Sequence, residues 1–258
     1  MSNTELQALI FDVDGTLADT EHAHLAAFNA AFAIEGLQWR WDEALYTRLL
    51  EVSGGKERIL HYWREVQPDL KDIGGSGVRD TVERLHALKT AVYEEAVQSG
   101  VVQLRPGVLR LIEDAYSQRI RLAIATTTSP VNIIVLLRAA IGPDWAHYFM
   151  VIEDASTAPL KKPHPQVYLQ TLKRLGLSPQ ACLAFEDSAN GLTAALAAGL
   201  ATVVTPNTFT LHHDFNGALS VRTSLANVTL EQLRTWRQTA SLSTGNSGSS
   251  KEFQRRPS

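Results

Sequence analysis

Five short apolar runs recur along the chain, and stretches whose hydrophobic residues follow helical spacing lie between them. The apolar runs cover residues 8–13, 121–125, 149–152, 181–185 and 201–204. The amphipathic stretches include residues 106–118, 130–141, 165–175 and 188–198. Strands that alternate with helices of this length predict a parallel sheet with helices on both faces.

Proline and glycine positions agree with these boundaries. Pro106, Pro130 and Pro165 suit the first turn of a helix, where a backbone N–H has no helical partner to lose. Gly176 and Gly199 suit the residue just past a helix end, where a left-handed backbone is common. The predicted fold is therefore α/β, with a three-layer, Rossmann-like parallel-sheet core.

One long segment breaks this rhythm. Residues 20–99 contain no strand-like run, but Phe28 and Phe32 begin a series of hydrophobic residues with helical spacing. We interpret this segment as a small helical cap domain inserted after the first strand. The α/β domain then consists of residues 1–19 and 100–240.

The last segment, residues 241–258, is rich in Ser, Gly and Asn and has almost no apolar residues. Such a composition buries too little apolar surface to offset the entropy that is lost on ordering. We therefore expect a disordered tail at the end of the chain.

The composition is that of an ordinary globular protein. Of the 258 residues, 45% are hydrophobic and 20% are charged, and the net charge is −3. These values exclude collagen-like, coiled-coil and wholly disordered chains. The slightly acidic balance, with a pI near 6.2, gives no general attraction to nucleic acid, so we expect no nucleic-acid partner.

Membrane and secretory segments are not predicted. The longest mostly apolar run, residues 192–204, is shorter than the roughly 18–20 apolar residues that a membrane span needs. The first residues are polar, include Glu5 and lack the pattern of a secretory signal. The single cysteine, Cys182, lies in an apolar run, which predicts a buried thiol in a reducing compartment. We expect a cytoplasmic monomer with no membrane partner.

The first apolar run ends in two carboxylates, Asp12 and Asp14. Side chains two residues apart share one face of an extended segment, and ligands of parallel sheets gather beyond the carboxyl ends of the strands. Gly15 permits a sharp turn directly afterwards. Two carboxylates this close repel unless a cation lies between them, so the pair favours a functional site over a simple chain reversal.

Polar side chains also follow three later runs, where sheet geometry would bring them to the same edge. They are the hydroxyl cluster at residues 126–129, then Lys162, then Glu186 and Asp187. Each of them alone is compatible with a helix cap or a solvated loop charge. Together they supply a carboxylate nucleophile, a second carboxylate for proton transfer, cationic and hydroxyl groups for phosphate oxygens, and acidic ligands for Mg²⁺.

The order of these motifs resembles the haloacid dehalogenase-like hydrolases over nearly the whole chain except the tail. In this resemblance Asp12 corresponds to the nucleophile that forms an aspartyl-phosphate. Asp14 corresponds to the acid that protonates the leaving oxygen and then activates water. Thr126 and Lys162 correspond to the groups that hold the transferring phosphoryl, and the inserted segment to the helical cap of the phosphatase and phosphomutase branch.

The same resemblance implies Mg²⁺ as cofactor. Asp12, Asp187 and the backbone carbonyl of Asp14 match its ligands. Glu186 matches a residue that reaches the metal directly in some relatives and through water in others, and that alternative stays open.

A closer resemblance is to the CbbY family, whose members accompany Rubisco of the Calvin cycle and dephosphorylate its inhibitor xylulose 1,5-bisphosphate. It rests on residues 19–21, 53–58 and 126–129. The resemblance implies that Glu21 binds sugar hydroxyls and that Lys56, helped by Arg58, holds the second phosphate. The other substrate-binding residues that it implies are Ser53, Gly54, Gly55, Thr127, Thr128 and Ser129.

Two alternatives stay open. A β-phosphoglucomutase-like enzyme shares the nucleophile, the acid and the metal but returns the phosphoryl group to the sugar. A receiver-type signalling domain also combines an acceptor aspartate, acidic metal ligands, a hydroxyl residue and a lysine, although its acceptor lies on a middle strand.

The histidines do not indicate a zinc site, because no pair has convincing spacing together with cysteine support. His22 and His24 follow the first motif closely. They could line the cleft beside the two carboxylates, but we expect surface or packing roles for them.

Overall fold

The computed structural model describes residues 5–69 and 75–246, and its centre is a parallel β-sheet. The strands are β1 (Ala8–Phe11), β2 (Arg121–Ala125), β3 (Phe149–Glu153), β4 (Cys182–Glu186), β5 (Ala201–Val204) and β6 (Ser220–Val221). Their order in the sheet is β3-β2-β1-β4-β5-β6, and every neighbouring pair is parallel. β1 is therefore central, and the residues that follow it lie beside those that follow β2 and β4.

Nine α-helices accompany the sheet in the described part of the chain. They are α1 (Glu21–Ile34), α2 (Glu43–Leu49), α3 (Gly55–Val66), α4 (Ser76–Gln98), α5 (Val108–Ser117), α6 (Pro130–Ala140), α7 (Gln166–Leu175), α8 (Ala189–Ala197) and α9 (Leu230–Asn246). Short 3₁₀ turns cover Trp145–Tyr148 and Pro179–Ala181. α6 begins as its sequence predicts, because Pro130 is in the first turn and the Ser129 hydroxyl accepts from the backbone N–H of Asn132.

The sheet is buried on both faces, which explains why its strands are apolar without alternation. Leu9 and Phe11 of β1 belong to one apolar cluster, whereas Ala8 and Ile10 belong to a second cluster on the opposite face. The first cluster is covered mainly by α5, α6 and α9, and the second by α7 and α8. This arrangement confirms the predicted three-layer α/β class.

The helices between β1 and β2 form most of a third apolar cluster, to which Phe209 of the loop after β5 also belongs. Its largest fully buried side chains are Phe28, Phe32, Trp41 and Tyr46. The two segments that join these helices to the sheet run side by side, since Ala18 and Leu104 form an antiparallel bridge. Residues of α1 and α4, such as Ala27 and Tyr93, also belong to the first cluster of the sheet. The cap domain at residues 20–99 stays a prediction.

Two details differ from the sequence prediction. The two-residue β6 was not predicted, because Ser220–Val221 has no apolar run to mark it. The tail was predicted to begin at residue 241, but α9 continues through Asn246. Extending a helix that has already formed adds one hydrogen bond per residue without a new nucleation step, so poor helix formers can still join it. Residues 247–258 of the predicted tail lie outside the described residues.

Within residues 5–69 and 75–246, no helix combines the length and apolar character that crossing a bilayer requires. Cys182 is buried in β4, as predicted, and burial raises the pKa of its thiol to about 12.

Candidate active site

A cavity of about 560 Å³ lies at the carboxyl ends of β1, β2 and β4, beneath the helices of the inserted segment. Every site residue that the sequence analysis named lines it. They are Asp12, Asp14, Glu21, Ser53, Gly54, Gly55, Lys56, Arg58, Thr126, Thr127, Thr128, Ser129, Lys162, Glu186 and Asp187. The parallel sheet thus brings together side chains that are up to 175 positions apart, as Asp12 and Asp187 are.

Three buried carboxylates form the floor of the cavity. Asp12, Glu186 and Asp187 each place one carboxylate oxygen within 4.8 Å of the others. Lys162 Nζ donates to Asp12 Oδ1 and Glu186 Oε1, both at 2.7 Å, and to the backbone carbonyl of Ala125 at 2.9 Å. One ammonium therefore partly balances a cluster that holds more negative than positive charge.

Burial controls the ionisation of this cluster. Burial raises the pKa of Asp12, and the Lys162 ammonium opposes the rise. Burial also raises the pKa of Glu186 to about 7 and that of Asp187 well above its ordinary value, with further increases from neighbouring carboxylates. Burial would lower the pKa of Lys162, but the Asp12 and Glu186 carboxylates outweigh it and raise the pKa. The carboxylates favour a further positive charge beside them.

The cluster fits a magnesium ion by the chemistry of its oxygen donors, since Mg²⁺ prefers carboxylates together with phosphate and water. Glu186 Oε2 is buried and has no hydrogen-bond partner among the described residues. Gly191 leaves the space around it open, because a Cβ there would lie 1.9 Å from Glu186 Oε2. The other oxygen, Oε1, is held by Lys162 and by the Tyr168 hydroxyl.

Asp14 lies apart from the three-carboxylate floor. His24 Nε2 donates to Asp14 Oδ1 at 2.9 Å, and His24 Nδ1 accepts from Lys89 Nζ at 2.8 Å. Burial favours the neutral form of Asp14, but the His24 and Lys89 contributions outweigh it and lower the pKa to about 2. The Asp14 carboxyl is therefore ionised at neutral pH and can accept a proton.

His24 and Lys89 are two of the cavity-lining residues that the sequence analysis did not name as site residues. The expected packing role of His24 is present, since its ring stacks on Tyr93 at 4.1 Å between centroids, but the residue also lines the cavity and binds Asp14. Its spacing from Glu21 was an available signal, because residues three apart share a helix face. Lys89 gave no local signal, since it reaches His24 from 65 positions away on α4.

The roof of the cavity belongs to the inserted helices. Glu21 Oε2 accepts from the Tyr46 hydroxyl at 2.7 Å. Arg58 is buried and donates to the backbone carbonyls of Leu49 at 3.1 Å and Val52 at 3.2 Å, and to Tyr46 Oη at 3.3 Å. Several N–H groups of Arg58 are therefore already bonded within the protein. One of them donates to the Tyr46 hydroxyl, which itself donates to Glu21.

The Gly-Gly-Lys segment begins α3 at the cavity rim. Gly54 has φ = +98°, a left-handed conformation that favours glycine, and a Cβ at Gly55 would lie 2.9 Å from the His86 ring. The Lys56 ammonium pairs with the Glu83 carboxylate and is partly exposed. Ser53 Oγ accepts from Asn190 Nδ2 at 3.3 Å, which joins the inserted segment to α8.

The hydroxyl cluster after β2 serves both local structure and the cavity. Thr126 is buried, and its Oγ1 accepts from the backbone N–H of Thr128 at 3.3 Å. Thr128 Oγ1 accepts from Asn132 Nδ2 at 3.1 Å, and Ser129 caps α6. The cap that was considered from the sequence is real, and the same residues also line the cavity.

Comparisons with known proteins agree with this geometry. A family profile described as haloacid dehalogenase-like hydrolase matches residues 6–199. The chain belongs to the haloacid dehalogenase-like hydrolases. The enzyme is a phosphatase of this family, so the receiver-type signalling domain is ruled out.

The similar proteins include members of the CbbY family. Protein CbbY from a plasmid of Cupriavidus necator is 58% identical over 216 residues, or 84% of each chain. A mutant CbbY from Rhodobacter sphaeroides, solved in complex with xylulose 1,5-bisphosphate, is 40% identical with a TM-score of 0.81, covering 88% of this chain and 99% of that one. A β-phosphoglucomutase from Clostridium difficile is 25% identical with a TM-score of 0.73, covering 92% and 99%.

Proposed function

We propose that this phosphatase removes one phosphoryl group from xylulose 1,5-bisphosphate through an aspartyl-phosphate on Asp12, with Mg²⁺ as cofactor. The observation that carries the proposal is the buried floor of the cavity, where Lys162 contacts both Asp12 and Glu186 at 2.7 Å. The substrate assignment is supported by the similarity to CbbY over most of the chain, including a CbbY solved with this bisphosphate.

Asp12 is the proposed nucleophile. One of its carboxylate oxygens attacks the phosphorus atom, a new O–P bond forms, and the bond between phosphorus and the sugar oxygen breaks. Asp14 is ionised in the free enzyme and would carry a proton in the substrate complex, where the negative phosphate beside it favours its neutral form. It gives this proton to the departing oxygen, and the carboxylate that remains takes a proton from water as the water oxygen bonds to phosphorus and the bond between Asp12 and phosphorus breaks. His24 holds the Asp14 carboxyl in place for both transfers through its 2.9 Å hydrogen bond.

Lys162 and Thr126 hold the phosphoryl oxygens during transfer. Both are buried in the floor of the cavity, where hydrogen bonds and charges act more strongly than in water. Mg²⁺, held by Asp12, Asp187, Glu186 and the backbone carbonyl of Asp14, would neutralise negative charge on the phosphoryl group.

The rest of the substrate is assigned to the cavity roof. Glu21 would accept hydrogen bonds from sugar hydroxyls, and Lys56 would bind the second phosphate by leaving Glu83. Backbone N–H groups at the glycine-rich start of α3 suit the same phosphate, since helix N-termini bind anions. The roof residues Ser53 and Arg58, and the hydroxyls of residues 127–129, complete the proposed subsite.

We infer a discontinuous domain arrangement that matches this division of roles. Residues 1–19 and 100–240 would form the catalytic core, and residues 20–99 a cap that closes over the substrate. Closure would exclude bulk water, which strengthens the electrostatic contacts inside. We also infer a cytoplasmic monomer from the single buried cysteine and the unremarkable surface charge, which size-exclusion chromatography and cell fractionation would test.

Phosphate release in the presence of Mg²⁺ tests the function directly. Xylulose 1,5-bisphosphate, ribulose 1,5-bisphosphate and β-glucose 1-phosphate would be compared at equal concentrations. A strong preference for the xylulose compound, with free phosphate as product, supports the proposal. Conversion of β-glucose 1-phosphate to glucose 6-phosphate without free phosphate would identify a mutase instead.

A further inference from the structure

Arg105 lies behind the cavity, in the segment that leads from the inserted helices back to α5. It is partly buried and its backbone N–H donates to the carbonyl of Leu17 at 2.9 Å. Its guanidinium donates to acceptors on three separate segments. These acceptors are the carbonyls of Gly15, Thr205, Pro206 (2.9 Å) and Thr223 (3.3 Å), and the Thr205 hydroxyl (3.2 Å).

Two of these segments are close to the proposed metal site. Gly15 directly follows Asp14 in the turn after β1. Thr205 begins the loop after β5, and two residues later Asn207 Nδ2 donates to Asp187 Oδ2 at 2.8 Å. Asn207 Oδ1 accepts from the backbone N–H of Phe209 at 2.8 Å, which orients the amide so that its NH₂ group faces Asp187.

The two loops approach Asp187 very closely. A Cβ on Gly15 would lie 2.3 Å from Asp187 Oδ2 and 2.5 Å from Asn207 Nδ2. The position of the Asp187 carboxylate therefore depends on how the turn after β1 and the loop after β5 are held relative to each other. The Arg105 guanidinium donates hydrogen bonds to both of these loops.

Arg110 provides a comparison within the same fold. It also donates to three backbone carbonyls, those of Leu225 (3.1 Å), Ala226 (3.2 Å) and Val228 (2.8 Å). The residues that either guanidinium contacts do not line the cavity themselves. Gly15 directly follows Asp14, which does line it, whereas Leu225, Ala226 and Val228 have no cavity-lining residue next to them in the sequence. Both arginines donate to backbone carbonyls. They differ because the loops that Arg105 contacts hold Asp14 and Asn207, whereas the loop that Arg110 contacts holds no residue of the site.

We propose that Arg105 and Asn207 form a brace that positions the Asp187 carboxylate for a magnesium ion. Asn207 Nδ2 donates to Asp187 Oδ2, and Asp187 also offers a carboxylate oxygen to the cluster with Asp12 and Glu186. Arg105 holds the backbone on both sides of that contact. Both are positioning residues, and the inference rests on the magnesium site of the proposed function.

Magnesium titration of the full chain without substrate, by isothermal calorimetry, tests the brace. Arg105→Lys keeps the positive charge, but a lysine ammonium cannot span both loops as a planar guanidinium does. We expect Arg105→Lys and Asn207→Ala each to weaken Mg²⁺ binding by about 10- to 100-fold, as is usual when a residue behind a metal ligand is lost. Arg110→Lys, the matched control, should bind Mg²⁺ like the wild type even if its melting temperature falls.

Two further readouts separate positioning from general stability. The double variant Arg105→Lys/Asn207→Ala should weaken binding no more than the stronger single change, because both act through Asp187. In phosphate-release assays the Mg²⁺ concentration for half-maximal rate should rise, and excess Mg²⁺ should restore most of kcat. A kcat loss that excess Mg²⁺ does not restore would contradict a positioning role.

The remaining outcomes are also decisive. Wild-type Mg²⁺ affinity in Arg105→Lys overturns the brace and leaves the proposed function standing. If Arg105→Lys fails to fold, Asn207→Ala decides, and unchanged affinity there overturns the brace. If the wild-type protein itself binds no Mg²⁺, the proposed metal site fails, and the brace fails with it.

Discussion

At the residue scale, the floor of the cavity holds three buried carboxylates and one buried ammonium. Within the described residues, Lys162 forms ion pairs with Asp12 and Glu186 but not with Asp187. Buried charge without full compensation is unfavourable for folding, and such arrangements concentrate at functional sites. This excess of negative charge is the physical reason to expect a cation here.

The first residue-scale prediction concerns the nucleophile. Asp12→Asn should lower the rate of phosphate release by roughly 10⁴- to 10⁶-fold, because an amide cannot form the aspartyl-phosphate. The fold should remain, since the change removes a charge whose burial is unfavourable. Circular dichroism and steady-state kinetics check both statements. Asp144→Asn, at a highly exposed position, is the matched control, and substantial turnover by Asp12→Asn would refute the assignment.

The second residue-scale prediction concerns pH and stability. Burial, with the positive charges of Lys89, Lys56 and Lys161 outweighing Glu83, lowers the pKa of His86 to about 4. Between this value and the ordinary value of 6.5, the unfolded chain binds a proton that the folded protein does not. The free energy of unfolding should therefore fall as pH drops from 6.5 to 4, by about 2–3 kcal/mol from this group.

His86→Gln tests that statement. Urea denaturation at several pH values should show a weaker loss of stability in the variant than in the wild type between pH 6.5 and 4. His147→Gln serves as the control, because it makes the same substitution at an exposed histidine. If the free energy of unfolding depended on pH in the same way in His86→Gln and the wild type, the pKa of His86 would be equal in the folded and unfolded states, and the prediction would be wrong.

At the element scale, helix α8 and strand β4 meet at Gly191, and the absence of a side chain there makes room for Glu186. We predict that Gly191→Ala lowers kcat, because a Cβ would lie 1.9 Å from Glu186 Oε2 and must displace the carboxylate. The helix itself should not suffer, since alanine is the better helix former by about 1 kcal/mol.

The control for this prediction is Gly77→Ala in α4, where a Cβ would meet nothing within 4 Å. That variant should keep full activity and gain slight stability. Steady-state kinetics and thermal unfolding measure kcat and the melting temperature of both variants. Full activity of Gly191→Ala would show that kcat does not depend on the position of the Glu186 carboxylate.

At the scale of the whole molecule, the proposed substrate site lies between the carboxyl edge of the sheet and the inserted helices. We predict that Lys56→Met raises KM for xylulose 1,5-bisphosphate about 10- to 100-fold, because a charge-assisted hydrogen bond to the second phosphate contributes about 1.5–3 kcal/mol. The KM for a small monophosphate such as acetyl phosphate should change little. Stability should be nearly unaffected, since the Lys56–Glu83 pair is exposed.

Lys173→Met on α7 is the matched control, because Lys173 is exposed and does not line the cavity. Steady-state kinetics give KM for xylulose 1,5-bisphosphate and for acetyl phosphate in both variants. Equal effects of Lys56→Met on bisphosphate and monophosphate would place the second phosphate elsewhere.

The sequence by itself determined the class of the fold and most of the cavity floor. Apolar runs alternate with amphipathic helices because both faces of a parallel sheet are buried, and this pattern is visible without coordinates. Asp12, Lys162 and Asp187 follow strand ends, and parallel strands carry such residues to one edge of the sheet. Their identity and convergence could therefore be predicted.

Only the tertiary structure decided the shortest strand of the sheet and the side chains that support the site. β6 is too short to leave an apolar signal, and Lys89 reaches His24 across 65 positions. Arg105 contacts Gly15 and Thr205 from 90 and 100 positions away. Such contacts depend on how the inserted helices and the loops after β1 and β5 pack together, and local sequence patterns carry no information about that packing.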